Sequence, residues 1–279
     1  MDGKEVRQCL HNGQPIYGTH VTQTSNPVAA SLQAMADLDF VFLCTEHMPV
    51  DRTETSALSC LYASKGISPI VRVPHPSSVE VTMALDAGAQ GIVVPYVETV
   101  DEVIEMVGAV HFRPAKGKQL RDFLSGKRKP TPKTTEFFDR FNRNNYLIIG
   151  IESVAAYENL GNLISVDGVD GVFLGAHDLS VSLEAPEEWD NPELHSMIED
   201  IVVRCRAANV GVGVHMHPDI FPDERARRLI DMGMNWVADG ADVAWAVKSL
   251  NRRRLALGLC PSASSPGATE NISSCIVSE

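Results

Sequence analysis

The 279-residue sequence contains no continuous apolar run of about 18 residues, which a membrane-spanning helix would need. Its polar start, MDGKEVRQCLHNGQ, also lacks the apolar stretch of a secretory signal, so we expect a cytoplasmic protein. Only six cysteines are present, and none of them forms a CxxC pair. The sequence therefore predicts free thiols rather than a disulfide framework or a zinc cluster.

Phosphate-binding loops and excess positive charge are also missing. Neither GxGxxG nor GxxxxGK[ST] follows an apolar run, which argues against dinucleotide and nucleoside-triphosphate chemistry. The 24 Lys and Arg residues against 36 Asp and Glu give a formal charge of −12. Because such a protein repels polyanions, we expect neither nucleic acid nor a membrane surface as its main partner.

Short apolar or β-branched runs alternate with amphipathic helical patterns, as is typical of βα units on a parallel sheet. The predicted strands are Ile16–Val21, Phe40–Thr45, Pro69–Val73, Gly91–Val97, Tyr146–Ile151, Gly171–Leu174, Val210–His215 and Trp236–Ala238. The predicted helices lie near 27–36, 52–65, 77–87, 99–110, 153–164, 192–208, 223–233 and 242–254. Eight units favour an α/β fold of the (β/α)8 or TIM-barrel type, as a single domain over residues 1–255, rather than an open sheet.

Two segments fall outside this alternation. Residues 113–145 hold ten Lys or Arg against three Asp or Glu, a local charge of +7 that leaves −19 for the rest. This basic insert is expected on the active-site side, where strands lead into helices, either as a solvated loop or as a lid that brings cations to an acidic ligand or a neighbouring subunit. Residues 256–279 are rich in Ser, Pro and Gly, which predicts a disordered tail.

Polar side chains collect where the predicted strands end. These residues are His20, Glu46, His47, Arg72, Tyr96, Glu98, Glu152, His177, Asp178, His215, His217 and Asp239. In a (β/α)8 barrel the strand exits meet at one rim, where catalytic sites lie. Polar residues occur at any such rim, but their number here favours a functional site.

Two of these residues are carboxylates on neighbouring strands. Glu152 and Asp178, completed by water and ligand oxygens, would suit a hard divalent cation such as Mg²⁺ or Mn²⁺. Alternatively, Glu152 caps the following helix and Asp178 supports a turn. Arg72 leaves the apolar strand PIVRV, and a guanidinium in a barrel mouth needs an anion, such as a carboxylate or an enolate oxygen.

Proton transfer has one main candidate. His47 could act as a general base because imidazole titrates near neutral pH, although a single histidine is more often structural. The eight lysines all lie away from the predicted strand exits. A Schiff-base mechanism inside the barrel therefore has no candidate nucleophile, and carbon chemistry here would need the metal.

Five segments together resemble one known family. TEH after the second strand, VRVP after the third, ALDAGAQGIVVPYVET across the fourth, IGIES at the fifth and GVDGVFLGAHDLS at the sixth are similar to the HpcH/HpaI class II pyruvate aldolases. That family belongs to the phosphoenolpyruvate/pyruvate barrel superfamily, and the similarity spans roughly residues 15–255. It implies a metal-dependent lyase that makes or cleaves the carbon-carbon bond between pyruvate enolate and an aldehyde, with 4-hydroxy-2-oxo acids as substrates.

The resemblance also implies residue roles. Glu152 and Asp178 match the ligands of a divalent cation, with Mg²⁺ or Mn²⁺ expected first and Co²⁺ or Zn²⁺ as alternatives. Arg72 matches the group that holds the pyruvate oxygen and steadies the enolate, and His47 matches the base.

Four further positions complete the implied site and assembly. Glu46 matches a partner of water at the cation, and the backbone at Gly175 and Ala176 matches the place that receives the substrate carboxylate. Asp86, in ALDAGA, matches an acid that approaches the site of a neighbouring subunit. Members of the family are usually homo-trimers or homo-hexamers that exchange a C-terminal helix, here at 242–254.

One position departs from the family pattern. The family commonly has an Asp three residues before the base, where it orients the imidazole, and this sequence has Cys44 there. A thiol is a weak hydrogen-bond partner. Activity could persist through water and Glu46, could be reduced, or could shift to 2-oxo-acid decarboxylation of the oxaloacetate type. His177, His215 and His217 are candidate replacement bases, and a weakened barrel that only binds a carboxylate metabolite is the alternative from another class.

Overall fold

Eight parallel strands close into a barrel in chain order, and the last strand pairs with the first. The computed structural model describes residues 1–22 and 26–259, apart from the side chain of residue 29. The strands are β1 Ile16–His20, β2 Phe40–Cys44, β3 Ser68–Arg72, β4 Gly91–Val94, β5 Tyr146–Ile151, β6 Gly171–Leu174, β7 Gly211–Met216 and β8 Trp236–Ala241. The predicted (β/α)8 barrel is therefore confirmed.

Twelve α-helices surround or close this barrel within the described residues. They are α1 Gly3–Asn12, α2 Pro27–Gln33, α3 Arg52–Ala63, α4 Ser78–Asp86, α5 Val100–His111, α6 Gly117–Leu124, α7 Pro132–Phe141, α8 Val154–Leu163, α9 Ala176–Ser182, α10 Pro192–Ala207, α11 Asp223–Asp231 and α12 Asp242–Ala256. Eight of them were predicted, whereas α1, α6, α7 and α9 were not. In the described part of the chain, no helix combines the length and the apolar character needed to cross a membrane.

Strand β2 shows why its residues form a continuous apolar run. Phe40, Phe42 and Cys44 belong to the cluster inside the barrel, whereas Val41 and Leu43 pack in the layer between barrel and helices. Successive side chains of a strand point to opposite faces, and both faces of a barrel strand are buried. The alternation aims Cys44 into the barrel at the end of the strand.

Several predicted boundaries needed correction. Strand β4 ends at Val94 instead of Val97, because Pro95 has no N–H to donate to a sheet ladder. Strand β8 continues to Ala241 instead of ending at Ala238. Helix α12 extends to Ala256, and residues 260–279 of the predicted tail lie outside the described residues.

Helix α1 closes the end of the barrel where the strands begin. Asp2 and Glu5 form a capping box at its start, and Val6 and Leu10 are fully buried. A Cβ atom on Gly211 of β7 would lie 2.6 Å from Leu10, so glycine is needed for this close approach.

The basic insert also lies at this end, which corrects the predicted placement. It connects the end of α5 to the start of β5, and helices of this fold run opposite to the strands. Phe112 packs against Phe123 and Phe138 at ring distances of 6.4 and 5.6 Å, which anchors α6 and α7. The insert is therefore a largely exposed helical segment, in agreement with the predicted solvated insert, and it does not cover the chain's own strand exits.

A buried carboxylate joins α1 to this end of the barrel. Asp170, immediately before β6, accepts hydrogen bonds from Arg7 Nε at 2.7 Å, His11 Nε2 at 2.8 Å and the Leu147 N–H at 2.9 Å. Burial alone would raise the pKa of Asp170, but the hydrogen bonds from His11 and His111 outweigh burial and hold it well below its usual range.

This cluster predicts an acid-sensitive contribution to stability. Asp170 stabilises the fold fully above its unfolded pKa of about 4, and the contribution is lost as pH falls below that value. The substitution Asp170→Asn should lower the free energy of unfolding by about 3 kcal/mol at pH 6. In urea titrations from pH 6 to 3, the difference in free energy of unfolding between Asp170→Asn and the wild type should shrink as pH falls.

The control is Asp167→Asn, at an exposed carboxylate three residues earlier. That variant should remain within about 0.5 kcal/mol of the wild type. Equal losses in the two variants would contradict the role assigned to Asp170.

Candidate active site

Arg72 lies at the exit of β3, inside the barrel mouth, with its side chain only 3% exposed. Its guanidinium carbon is 5.7 Å from the ring centre of Phe42 and 5.6 Å from that of Phe173. The Nε atom is 3.0 Å from Oε2 of Glu46, whose side chain is 6% exposed. Arg72 is therefore a buried cation that contacts two neighbouring aromatic rings and pairs with a buried carboxylate.

Cys44 contacts Arg72 rather than the imidazole of His47. Its sulfur accepts hydrogen bonds from Arg72 Nε at 3.3 Å and Nη2 at 3.2 Å, and from the backbone N–H of His47 at 3.4 Å. The His47 ring instead has its Nε2 atom 3.5 Å from Oε2 of Glu46. The carboxylate next to the imidazole therefore comes from Glu46, the neighbouring residue in the sequence.

His47 is in the protonation state that a base requires. Burial lowers its pKa below the usual range, and the positive charge of Arg72 lowers it further, although Asp178 opposes the shift. The imidazole is therefore neutral near pH 7 and can accept a proton.

Glu152 follows β5 and is almost completely buried, at 4% exposure. Its Oε2 atom accepts a hydrogen bond of 3.0 Å from the N–H of Tyr96, a residue with φ of +56°. Burial raises the pKa of Glu152 to about 8, and the charges of Asp178 and Glu46 contribute, while Arg72 acts in the opposite direction. Glu152 therefore lies close to other acids in a buried environment.

The turn after β6 brings the second carboxylate to this place. Gly175 precedes α9, and Asp178 lies in the first turn of that helix. A Cβ atom on Gly175 would lie 2.5 Å from Cγ of Glu152, so only glycine leaves room for the Glu152 side chain. The helix α9 was not predicted, since Asp178 was considered only as a cation ligand or, alternatively, as a residue that supports a turn.

The donor set fits a divalent cation. Among the described residues, no group of three or more His, Cys, Asp or Glu side chains is arranged as a metal cluster. Glu152 and Asp178 together supply two carboxylates, and the charge of Asp178 adds to burial in raising the pKa of Glu152. Hard cations that retain water and substrate oxygens are bound by one or two carboxylates in this way.

A cleft at the rim contains half of the predicted site residues. It is lined by Arg72, Gly175, Ala176 and Asp178, together with His177 and His217. None of its lining residues is a lysine, as the sequence analysis predicted. The predicted site residues Glu46, His47 and Glu152 adjoin this cleft through their interactions with Arg72 and Asp178.

All three candidate replacement bases have other partners within the chain. His215 has its Nε2 atom 3.0 Å from the Gly240 carbonyl, and burial lowers its pKa to about 4. His177 is 3.5 Å from Glu187, and Nδ1 of His217 accepts the N–H of Asp219 at 3.3 Å. The geometry therefore favours His47 as the base.

Asp86 lies outside this site in its own chain. It is the last residue of α4, at the end of the barrel where the strands begin, and it pairs with Arg113 of the basic insert. Its side chain is 65% exposed. The approach of Asp86 to a neighbouring subunit's site remains a prediction.

Sequence reasoning missed the groups that hold the site together. Phe42 and Phe173 contact Arg72, and the Tyr96 N–H holds Glu152. The signal for Phe42 was its spacing of two residues from Cys44, which places both side chains on the same face of β2.

The closed barrel brings a buried arginine and two carboxylates together at the strand exits, and no lysine lines the cleft beside them. The HpcH/HpaI aldolase/citrate lyase family model matches residues 21–249. The chain belongs to this family, as the sequence predicted, and is a carbon-carbon lyase.

Named relatives agree with this assignment, and a solved structure agrees with the fold. A hydroxypyruvate/pyruvate aldolase of Agrobacterium fabrum is 29% identical over 238 residues, covering 85% of this chain and 87% of that protein. A 4-hydroxy-2-oxo-heptane-1,7-dioate aldolase of Salmonella dublin is also 29% identical, covering 85% of this chain and 88% of that protein. The crystal structure of a family protein from Burkholderia cenocepacia superposes with a TM-score of 0.75 at 24% identity, covering 91% and 99% of the two chains.

The raised pKa of Glu152 predicts how pH affects the metal-free protein. Folding favours the protonated carboxyl, so this contribution to stability is full below the unfolded pKa of 4.5 and is lost as pH rises to about 8. In EDTA at pH 8.5, Glu152→Gln should therefore be more stable than the wild type by about 3 kcal/mol. Added Mn²⁺ should raise the melting temperature of the wild type but not that of Glu152→Gln.

The matched control is Glu98→Gln, at an exposed carboxylate on the same rim. It should keep both the pH dependence and the stabilisation by Mn²⁺. A Glu152→Gln protein that Mn²⁺ still stabilises would show that Glu152 is not a ligand.

Proposed function

We propose that this protein is a class II aldolase that cleaves or forms 4-hydroxy-2-oxo acids, with pyruvate and an aldehyde as the two fragments. The observation that carries the proposal is the buried Arg72 guanidinium, which lines the cleft formed by Gly175, Ala176 and Asp178. A fixed cation at this depth can stabilise an enolate oxygen as its charge develops.

Glu152 and Asp178 would hold the divalent cation on which enzymes of this family generally depend. The chemistry supplied by such a cation is Lewis-acid polarisation of a 2-oxo acid, which acidifies the C3 protons. We propose Mg²⁺ or Mn²⁺, because two carboxylates with additional oxygens suit hard cations, with Co²⁺ or Zn²⁺ as alternatives. The backbone at Gly175 and Ala176 would receive the substrate carboxylate.

His47 is the proposed base for the 4-hydroxyl proton. Its lowered pKa keeps it neutral, and the carboxylate of Glu46, 3.5 Å away, can stabilise the imidazolium that forms. Glu46 also pairs with Arg72 at 3.0 Å, so the acid links the base to the group that holds the enolate oxygen. This arrangement supports retained catalysis despite Cys44, in preference to a barrel that only binds metabolites.

We propose further that α12 packs against a second copy of the chain. Within one chain α12 buries none of its residues, and Leu250 and Leu255 are 70% and 62% exposed. An apolar groove lies beside it, lined in part by Phe221, Ile230 and Trp245. A homo-trimer or homo-hexamer with an exchanged C-terminal helix would cover these surfaces and could bring Asp86 to a neighbouring site.

Retro-aldol activity tests the catalytic proposal. With Mn²⁺, the purified protein should release pyruvate from a panel of 4-hydroxy-2-oxo acids, detected by coupled reduction of the pyruvate. Arg72→Lys should lower kcat by about 100-fold to 1,000-fold, as expected for loss of an oxyanion donor. Arg52→Lys, at an exposed position on α3, is the control and should keep full activity.

Proton exchange separates the two function classes. Metal-dependent exchange at C3 of pyruvate, observed by NMR in deuterium oxide, supports the lyase. Tight binding of pyruvate without exchange or cleavage would instead support a binding protein.

The assembly proposal has its own test. Leu250→Asp places a charge on the exposed apolar face of α12 and should shift the sedimentation coefficient from an oligomer to a smaller species. Val203→Asp changes an equally apolar exposed residue of α10, 51% exposed, and should leave the oligomer intact. A wild-type protein that sediments as a monomer would overturn this proposal.

A further inference from the structure

We infer that Cys44 is a positioning residue for Arg72, so that the thiol fixes the guanidinium that faces the enolate oxygen. The inference rests on the proposed function and adds a residue to it. Its basis is the convergence of two guanidinium donors and one backbone donor on a single buried sulfur atom.

The strand register brings the two residues together. Cys44 and Arg72 are paired residues at the ends of β2 and β3, and both side chains are buried. The carbonyl of Arg72 also accepts hydrogen bonds from Thr45, from the N–H at 3.0 Å and from Oγ1 at 2.8 Å. The backbone of Arg72 is therefore fixed, and the remaining freedom lies in its side chain.

Cys44 restricts that side chain by contacting one whole edge of the guanidinium. Its sulfur lies 3.3 Å from Nε and 3.2 Å from Nη2, the same edge that a carboxylate contacts in a two-pronged pair. Glu46 also approaches this edge, with Oε2 3.0 Å from Nε. A contact at two points fixes the orientation of the planar group as well as its distance.

The two rings near the guanidinium cannot replace this contact. Phe42 and Phe173 lie 5.7 and 5.6 Å from the guanidinium carbon, and because their own ring centres are only 6.1 Å apart, both contact it from the same side. Rotation within the plane is limited by in-plane acceptors, of which Cys44 is one. Removing the sulfur should therefore misalign Arg72 without removing its charge.

The same sulfur also accepts the His47 N–H at 3.4 Å. The alternative is therefore that Cys44 acts by positioning His47, the proposed base. A double-mutant cycle distinguishes the routes, because residues that act together have non-additive effects. The rate of C3 proton exchange on pyruvate with Mn²⁺ is measured for Cys44→Ala in the wild-type, Arg72→Lys and His47→Gln backgrounds.

If Cys44 acts through Arg72, Cys44→Ala should slow exchange about 30-fold in the wild type, mainly in kcat. In the Arg72→Lys background, Cys44→Ala should change the exchange rate little further. In the His47→Gln background, it should slow exchange by the same factor as in the wild type. Cys44→Ser keeps one acceptor and should retain an intermediate rate. A full effect in the Arg72→Lys background, or none in the wild type, would overturn the inference.

Two controls separate this role from loss of packing and from failure of the proposed function. Cys205→Ala removes an equally buried thiol from α10 and should leave exchange unchanged. If Arg72→Lys alone left exchange unchanged, the proposed function would be wrong, whatever Cys44 does. Melting temperatures of all variants identify any that fail to fold, and Cys44→Ser then supplies the comparison.

Discussion

The arrangement of the site depends on keeping one guanidinium charged inside the barrel. A buried cation is tolerated only with close acceptors, and Glu46 and Cys44 supply them on one side of Arg72. The charge of Arg72 then lowers the pKa of His47 and opposes the rise of the Glu152 pKa. Base, acid and anion-binding group are thus coupled through one side chain.

Two buried carboxylates show how neighbours decide the state of the same chemical group. Asp170 and Glu152 are both buried, and burial alone would raise both pKa values. His11 and His111 hold Asp170 ionised at one end of the barrel, whereas Glu152 faces other acids at the opposite end. Asp170 has its hydrogen-bond partners within the protein, and Glu152 is suited to bind a cation from outside.

The fold was largely predictable from sequence because alternating βα patterns reflect the burial of each strand on two faces. Most site residues were also predictable, since strand exits converge at one rim, and HpcH/HpaI motifs marked them. The orientation of Cys44 toward Arg72 was not predictable, because Arg72 lies on another strand, 28 residues further along the chain.

Helix α1 could have been predicted, since Val6, Cys9 and Leu10 have helical spacing after a capping box. The placement of the insert was predicted wrongly, because the correct placement depends on the insert leading from a helix, α5, into a strand, β5.

The barrel interior also separates the two ends of the molecule. Phe40, Phe42, Phe173 and Trp236 form a layer of contacting rings across its middle, and the guanidinium of Arg72 contacts this layer at Phe42 and Phe173. Because this layer is close-packed and apolar, α1 and the acid that anchors it occupy an environment distinct from the reacting carbons. Laboratory evolution could therefore strengthen the closed end of the barrel while leaving the substrate preference of the open end to vary independently.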